Sequence, residues 1–196
     1  MPKIVDHDLQ REAFAKAAMR LIGRAGLEGV TMRAVAAEAG LSYGSLFHYF
    51  GSKDELLLST VRYALGKQSD RLNDLSQRFS GLDALEKMLC DDALTSESSH
   101  DVWMVWMTFQ YQAALRDSFA EVNAELVDGW HDRIRLALID AQEAREVRAD
   151  LDVDLEASAL WAYSTGIGQL GVLHPDAFPV DRQEALVRAC INKLRT

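Results

Sequence analysis

Within the stretch from Val30 to Leu57, VTMRAVAAEAGLSYGSLFHYFGSKDELL, a helix is stopped and restarted twice, and few folds accommodate that punctuation. Thr31 can cap free N–H groups at the start of a first helix running through the alanine-rich Met32 to Ala39. Gly40 supplies the left-handed turn that other residues resist, and Leu41 tucks under the corner. Ser42 caps a second helix in which Leu46 and Phe50, four apart, face inward; Ser42, Tyr43, Gly44, Phe47 and His48 are left outward. After Gly51, Ser52 and Glu55 have the spacing of a capping box, each expected to satisfy the other's backbone donor, so Lys53 stands on an anion-attracting helix end. Two short helices joined by a tight turn make a helix-turn-helix at about residues 31–50, and its polar and aromatic outer face is the candidate reader of DNA.

These residues resemble the DNA-binding domain of the TetR (tetracycline-repressor-like) family of transcriptional regulators. The matching positions are Thr31, Arg33, Ala36 and Gly40, then Ser42, Gly44, Leu46, Phe47, Tyr49 and Phe50, then Lys53, Glu55, Leu56 and Leu57. With Phe14, Ala17, Ala18 and Leu21 upstream, the resemblance reaches from Asp8 to Leu65. Its most specific part is the aromatic run Phe47-His48-Tyr49-Phe50 followed at fixed spacing by Ser-Lys-Asp-Glu-Leu. Phe47 departs from the family pattern, which has tyrosine there and so a hydroxyl able to donate to a phosphate. The resemblance implies DNA contacts from Thr31 and Arg33, from Ser42, Tyr43, Gly44, Ser45, Phe47, His48 and Tyr49 on the reader, and from Lys53. Helix N-termini at Thr31 and Lys53, the Arg33 and Lys53 charges and the Tyr49 hydroxyl suit phosphates; Tyr43, Gly44, Ser45 and His48 can meet base edges or thymine methyls.

A net charge of −9 looks wrong for a DNA binder until it is divided along the chain. Residues 1–63 carry eight Lys and Arg against seven Asp and Glu, whereas residues 64–196 carry thirteen against twenty-three. The acidity belongs to the body, which repels DNA everywhere except at the head, so nonspecific binding should be weak. A hydrophobic fraction of 48% can support a sizeable core, and the near absence of alternating β-rich segments makes the expected fold all-α. No long apolar run and no signal-like start occur, so a cytoplasmic protein without a membrane partner is expected. Cys90 and Cys190 lack metal-ligand spacing and read as buried free thiols. The five histidines are scattered, with no HExxH, no Gly-x-Ser-x-Gly and no phosphate loop, and Asp128, His131 and Asp132 read as one solvated helix face. Neither catalytic residues, a metal nor a cofactor are expected.

The expected organisation is an N-terminal DNA-binding domain of three helices over residues 1–52, a connecting helix over 53–80, and a larger helical bundle over 81–196 for ligand binding and dimerisation. Body helices are expected near Asp83–Leu94, Asp101–Leu115, Phe119–Ala144, Leu155–Leu173 and Arg182–Leu194. The second of these is the most aromatic part of the chain. Trp103, Trp106, Met107, Phe109 and Tyr111, with Trp130 and Trp161 on later helices, are the candidate lining of an effector site, although ordinary core packing accounts for the same residues. The helix from Leu155 is rich in Ala, Ser and Gly, which suggests either close backbone approach or a helix that ends early in an irregular terminus; on the first reading it makes a dimer contact with the apolar stripe of the last helix. The family resemblance implies that these last two helices pair with their symmetry mates in a four-helix bundle. Val147 to Asp152 and His174-Pro175-Asp176 also resemble the branch containing the choline-responsive repressors. The expectation is a homodimeric, ligand-responsive regulator of a palindromic double-stranded operator, released by a small apolar or cationic effector. A DNA-binding protein with a filled body and no effector, or an enzyme, are the alternatives.

Overall fold

The computed structural model describes residues 7–92 and 97–196, and among them it contains nine α-helices and no strand. They are α1 (His7–Ala25), α2 (Met32–Ala39), α3 (Tyr43–Tyr49), α4 (Lys53–Arg78), α5 (Gly81–Asp91), α6 (Glu97–Leu115), α7 (Asp117–Glu143), α8 (Val153–Leu173) and α9 (Val180–Asn192). Packing groups the chain into two compact units, Met1–Lys67 with His100–Phe119, and Gln68–Ser99 with Ala120–Thr196. The two share α4, whose 26 residues extend about 39 Å at 1.5 Å per residue.

In the first unit the expected punctuation is realised atom by atom. Thr31 has extended backbone and its hydroxyl accepts from the Ala34 N–H at 3.1 Å. Gly40 takes a left-handed φ of 67°, and the Leu41 N–H closes on the Ala36 carbonyl at 3.0 Å, the hydrogen-bonded stop that a side chain at this φ would strain. The Ser42 hydroxyl accepts from the Ser45 N–H at 3.0 Å, starting α3. Phe14, Ala17, Ala18 and Ile22 of α1 are buried with Val35, Leu46 and Phe50, so one stripe of α1 covers the helix-turn-helix. Asp8 lies within the first turn of α1, and Leu9 is exposed, off the buried face of the helix.

The start of α4 differs from the sequence reading. The Ser52 hydroxyl accepts from the Glu55 N–H at 3.1 Å as expected, but Glu55 Oε2 accepts from Gly51, at 2.9 Å, one residue earlier than a reciprocal box requires. Between α1 and α2 an ion-pair clamp forms. Glu38 accepts from Arg20 Nε at 2.9 Å and from Arg24 Nη2 at 2.7 Å, and these two guanidinium groups, Arg24 foremost, hold its carboxyl below its ordinary value.

The second unit has its own core, in which Leu72 of α4, Leu85 and Met88 of α5, Ile134 and Leu138 of α7, Leu160 of α8 and Ile191 of α9 are buried together. At the start of α5 Ser80 makes no side-chain cap. Glu146, beyond the end of α7, does that work: its Oε2 accepts from the Leu82 N–H at 2.8 Å. Gly81 has φ of 57°, the left-handed conformation that selects glycine, and a Cβ there would push aside the end of the Glu146 side chain. The helices expected at 83–94 and 101–115 begin earlier, at Gly81 and Glu97, and the end of the former expectation falls outside the described residues.

Candidate nucleic-acid interface

α3 is held by its two inward residues, Leu46 and Phe50, both 0% exposed, and this fixes which side chains it presents. Ser42, Tyr43, Gly44, Phe47 and His48 are exposed, as the helical period requires. Phe47 is 54% exposed, so its ring lies on the outer face rather than extending the core. Tyr43 sits between two neighbours, with its ring centroid 5.9 Å from that of Phe47 and 5.9 Å from Arg33 Cζ. Arg33 on α2 and the aromatic pair on α3 thus form one exposed cationic and aromatic surface.

The remaining candidates have partners that define what they can still offer. The Thr31 and Ser42 hydroxyl oxygens accept from their own helices, which leaves each O–H free to turn toward a phosphate. The Ser45 hydroxyl donates to Gln10 Oε1 at 3.1 Å, tying α3 to α1. The Tyr49 ring is half-buried against Phe14, with centroids 6.0 Å apart, and meets His7 at 5.5 Å and His48 at 5.4 Å. Lys53 is exposed, and its Nζ donates to the Leu27 carbonyl at 2.8 Å. Three donors on an ammonium leave two for other acceptors, and the bond fixes the charge beside the loop preceding α2. Thr31, Arg33, Tyr43, Phe47, His48 and Lys53 all remain exposed in one unit. His7 and Gln10 were missed by sequence reasoning, since nothing in a helix start marks which later helix it will touch.

The effector candidates are placed differently. Trp103, Trp106 and Phe109 are buried in the first unit, with Trp106 and Phe109 centroids 6.1 Å apart and Phe109 and Phe119 centroids 5.7 Å apart. Met107 is half-buried, and Tyr111, at 65% exposed, points to solvent. Trp130 and Trp161 are half-buried against the core of the second unit. A cleft of ≈ 510 Å³ in that unit is lined by residues of α4, α5 and α7 with Phe79, and by none of the seven candidates.

Polar clusters elsewhere lack the arrangement of a catalytic centre. His131 Nε2 lies 3.1 Å from Ser158 Oγ, but the Ser158 hydroxyl donates to the Asp154 carbonyl at 2.9 Å. The imidazole is therefore the donor to Ser158 and does not activate it as a base would. Burial pushes the Asp92 carboxyl up to about 7, against the opposing hydrogen bond that it accepts from Gln68. Burial likewise pushes the Cys90 thiol up to about 11, away from thiolate reactivity. Among the described residues no group of His, Cys, Asp and Glu is placed to hold a metal ion, and no helix is long and apolar enough to cross a membrane.

The chain is similar to bacterial transcriptional regulators. Residues 15–60 match the model of bacterial regulatory proteins of the tetR family, and residues 82–196 match that of the BetI-type transcriptional repressor, C-terminal. Over 196 residues the chain is 31% identical to the HTH-type transcriptional regulator PksA of Bacillus subtilis (strain 168), covering 95% of this chain and 90% of that protein. It is 30% identical over 139 residues to the HTH-type transcriptional regulator BetI of Brucella canis, covering 70% of each. Among solved structures it is similar to a putative transcriptional regulator from Saccharomonospora viridis in complex with choline, with a TM-score of 0.87, 23% identity, and coverage of 94% of this chain and 96% of the other. A transcriptional regulator from Rhodococcus sp. Rha1 gives a TM-score of 0.82 at 23% identity, with 94% and 95% covered.

Proposed function

This chain belongs to the TetR family of bacterial transcriptional regulators, with a BetI-type C-terminal domain, and from that premise we propose that it is a homodimeric, ligand-responsive repressor of a palindromic operator. Its class is that of DNA-binding regulators and not of enzymes. The observation that carries the reading is the outer face of α3, where Tyr43, Phe47 and His48 stand exposed beside Arg33 on a helix pinned by Leu46 and Phe50. In the proposed complex that face enters the major groove. Tyr43, Gly44, Ser45 and His48 meet base edges, while Thr31, Arg33, Ser42, Tyr49 and Lys53 bind the backbone, along which Phe47 lies.

Dimerisation is supported by α8, which exposes Leu155, Ala159, Ala162, Tyr163, Leu170 and Leu173 along one stripe, and by the exposed Ala185 and Ala189 of α9. Apolar residues repeated at helical spacing on an open surface gain by pairing with their symmetry mates. Two heads fit successive major grooves only when about 34–36 Å apart. An effector that prefers the body with its heads misplaced lowers operator affinity by that difference in affinity. Trp103, Trp106, Met107 and Phe109 of the first unit, and separately Trp130 and Trp161 of the second, remain aromatic candidates for contact with such an effector, apolar or cationic, while Tyr111 points to solvent. The cleft of ≈ 510 Å³ in the second unit, which none of these aromatic residues lines, supports an effector-binding regulator over one with a filled body.

Fluorescence anisotropy with operator and scrambled duplexes tests the interface. Lys53→Ala should weaken binding to every duplex and reduce the salt slope by about one per phosphate contact. Tyr43→Ala should instead flatten the preference for operator by about 1–3 kcal/mol. A Lys53→Ala loss confined to one sequence, or unchanged discrimination in Tyr43→Ala, refutes the assignments.

A further inference from the structure

α7 divides its polar residues between two neighbours. His131 and Arg135 turn toward α8, at Ser158 and Asp154, whereas Arg133 and Asp140 line the cleft shared with α4 and α5. Arg133 is half-buried there, and its guanidinium is oriented by neutral groups: Nη1 donates to Asn73 Oδ1 at 2.8 Å and Nη2 to Ser69 Oγ at 2.7 Å. Among the described residues no carboxylate pairs with it, although residues 64–196 hold twenty-three acids against thirteen bases. Arg71, Arg78, Arg135, Arg188 and Arg195 in the same unit all have acidic partners. A guanidinium has five donors, so Arg133 keeps a fixed positive charge with unused N–H groups at the edge of a cleft.

Besides Asn73, Arg133 and Asp140 the cleft has two further polar residues, Ser76 and Gln77, and an apolar side where a tail would lie. Phe79, Ala84, Met88, Leu136 and Ala137 line it, and its ≈ 510 Å³ falls within the ~300–1,000 Å³ usual for small-molecule sites. Lys87 Nζ stands 4.5 Å from the Phe79 ring centroid, adding positive potential near the apolar surface. Asp140 follows Arg133 on the same helix by seven residues, about 10 Å at 1.5 Å per residue, and it makes the far end of the cleft hostile to a second negative charge. We infer that this cleft binds an amphipathic monocarboxylate, with its acid group on Arg133 and its hydrocarbon over Met88, Leu136 and Phe79. The binding rests on the cleft alone; that occupancy would act on the heads rests on the regulator reading above.

Isothermal titration calorimetry on the full chain without DNA tests the site, so that a failure of operator binding cannot be mistaken for its failure. Octanoate, octanol, octyltrimethylammonium and the dicarboxylate suberate serve as probes. Octanoate should bind saturably, one per protomer, and more tightly than the other three. Arg133→Gln should weaken it roughly tenfold to a hundredfold, the range set by a charge-assisted hydrogen bond. Asn73→Asp provides the second variant, because it keeps the shape and places a carboxylate against Arg133; it should weaken octanoate binding to the same extent without lowering the melting temperature. Absence of saturable octanoate binding, equal affinity for the cation, or octanoate binding unchanged in Asn73→Asp overturns the inference.

Discussion

Phe47 is 54% exposed on the outer face of α3, which decides where a hydroxyl added to its ring would go. An inward ring would bury that hydroxyl without a partner and cost stability, but an outward one presents it to solvent or to a DNA backbone. Phe47→Tyr should therefore leave the melting temperature unchanged and tighten DNA binding by about 0.5–1.5 kcal/mol per head, less than the full value of a hydrogen bond to a charged group because dehydration offsets part of it. Operator and nonspecific DNA should gain alike, since a phosphate carries no base information. Anisotropy titrations and thermal melts of the same variant check both halves, and a tightening confined to operator would move the ring from the backbone to the base edges.

The elements are joined by polar contacts whose energetics can be read separately from the core. Glu38 links α2 to Arg20 and Arg24 of α1, and those partners lower its folded value below the ordinary 4.5. A depressed carboxylate contributes stability that is fully present above the unfolded value and is lost as pH falls through the folded one. The difference in melting temperature between wild type and Glu38→Gln should thus be present at neutral pH and close as pH falls below about 4.5. A difference that persists at pH 3 would mean that the clamp acts by packing. At the other helix junction, Glu146 caps α5 through the Leu82 N–H. Glu146→Ala should cost about 1 kcal/mol in denaturant unfolding, as loss of a helix N-cap does. A loss within error would assign that N–H to water.

At the scale of the whole molecule the open question is what covers α8. Gly168 and Gly171 are buried within the protomer, so enlarging Gly168 would injure its own core and would not test an interface. Ala162 is exposed, and a Cβ on Gly166 would meet open space, so this part of α8 is where a second copy can approach. Ala162→Arg should convert a dimer into a folded monomer in sedimentation or light scattering, with unchanged helical content and weakened operator binding. A wild-type monomer, or a dimer untouched by the substitution, would place the interface elsewhere.

The sequence by itself determined the features that depend on neighbours within a few residues. Thr31, Gly40, Ser42 and Ser52 act on backbone groups three to five positions away, and Leu46 and Phe50 share a face by helical period alone, so α2, α3 and the outward set of the reader were legible before any fold was known. The same periodicity marked the body helices. Only the tertiary structure decided which partner each polar group found. Glu55 reached Gly51 in place of Ser52, Lys53 reached Leu27, Ser45 reached Gln10, and Glu146 capped a helix that begins 65 residues earlier at Gly81. It also divided the aromatic residues between two units and opened the cleft beside Arg133 among residues that no motif singles out. Such contacts join segments far apart in the chain, where the deciding quantities are distance and burial, and neither is encoded in local spacing.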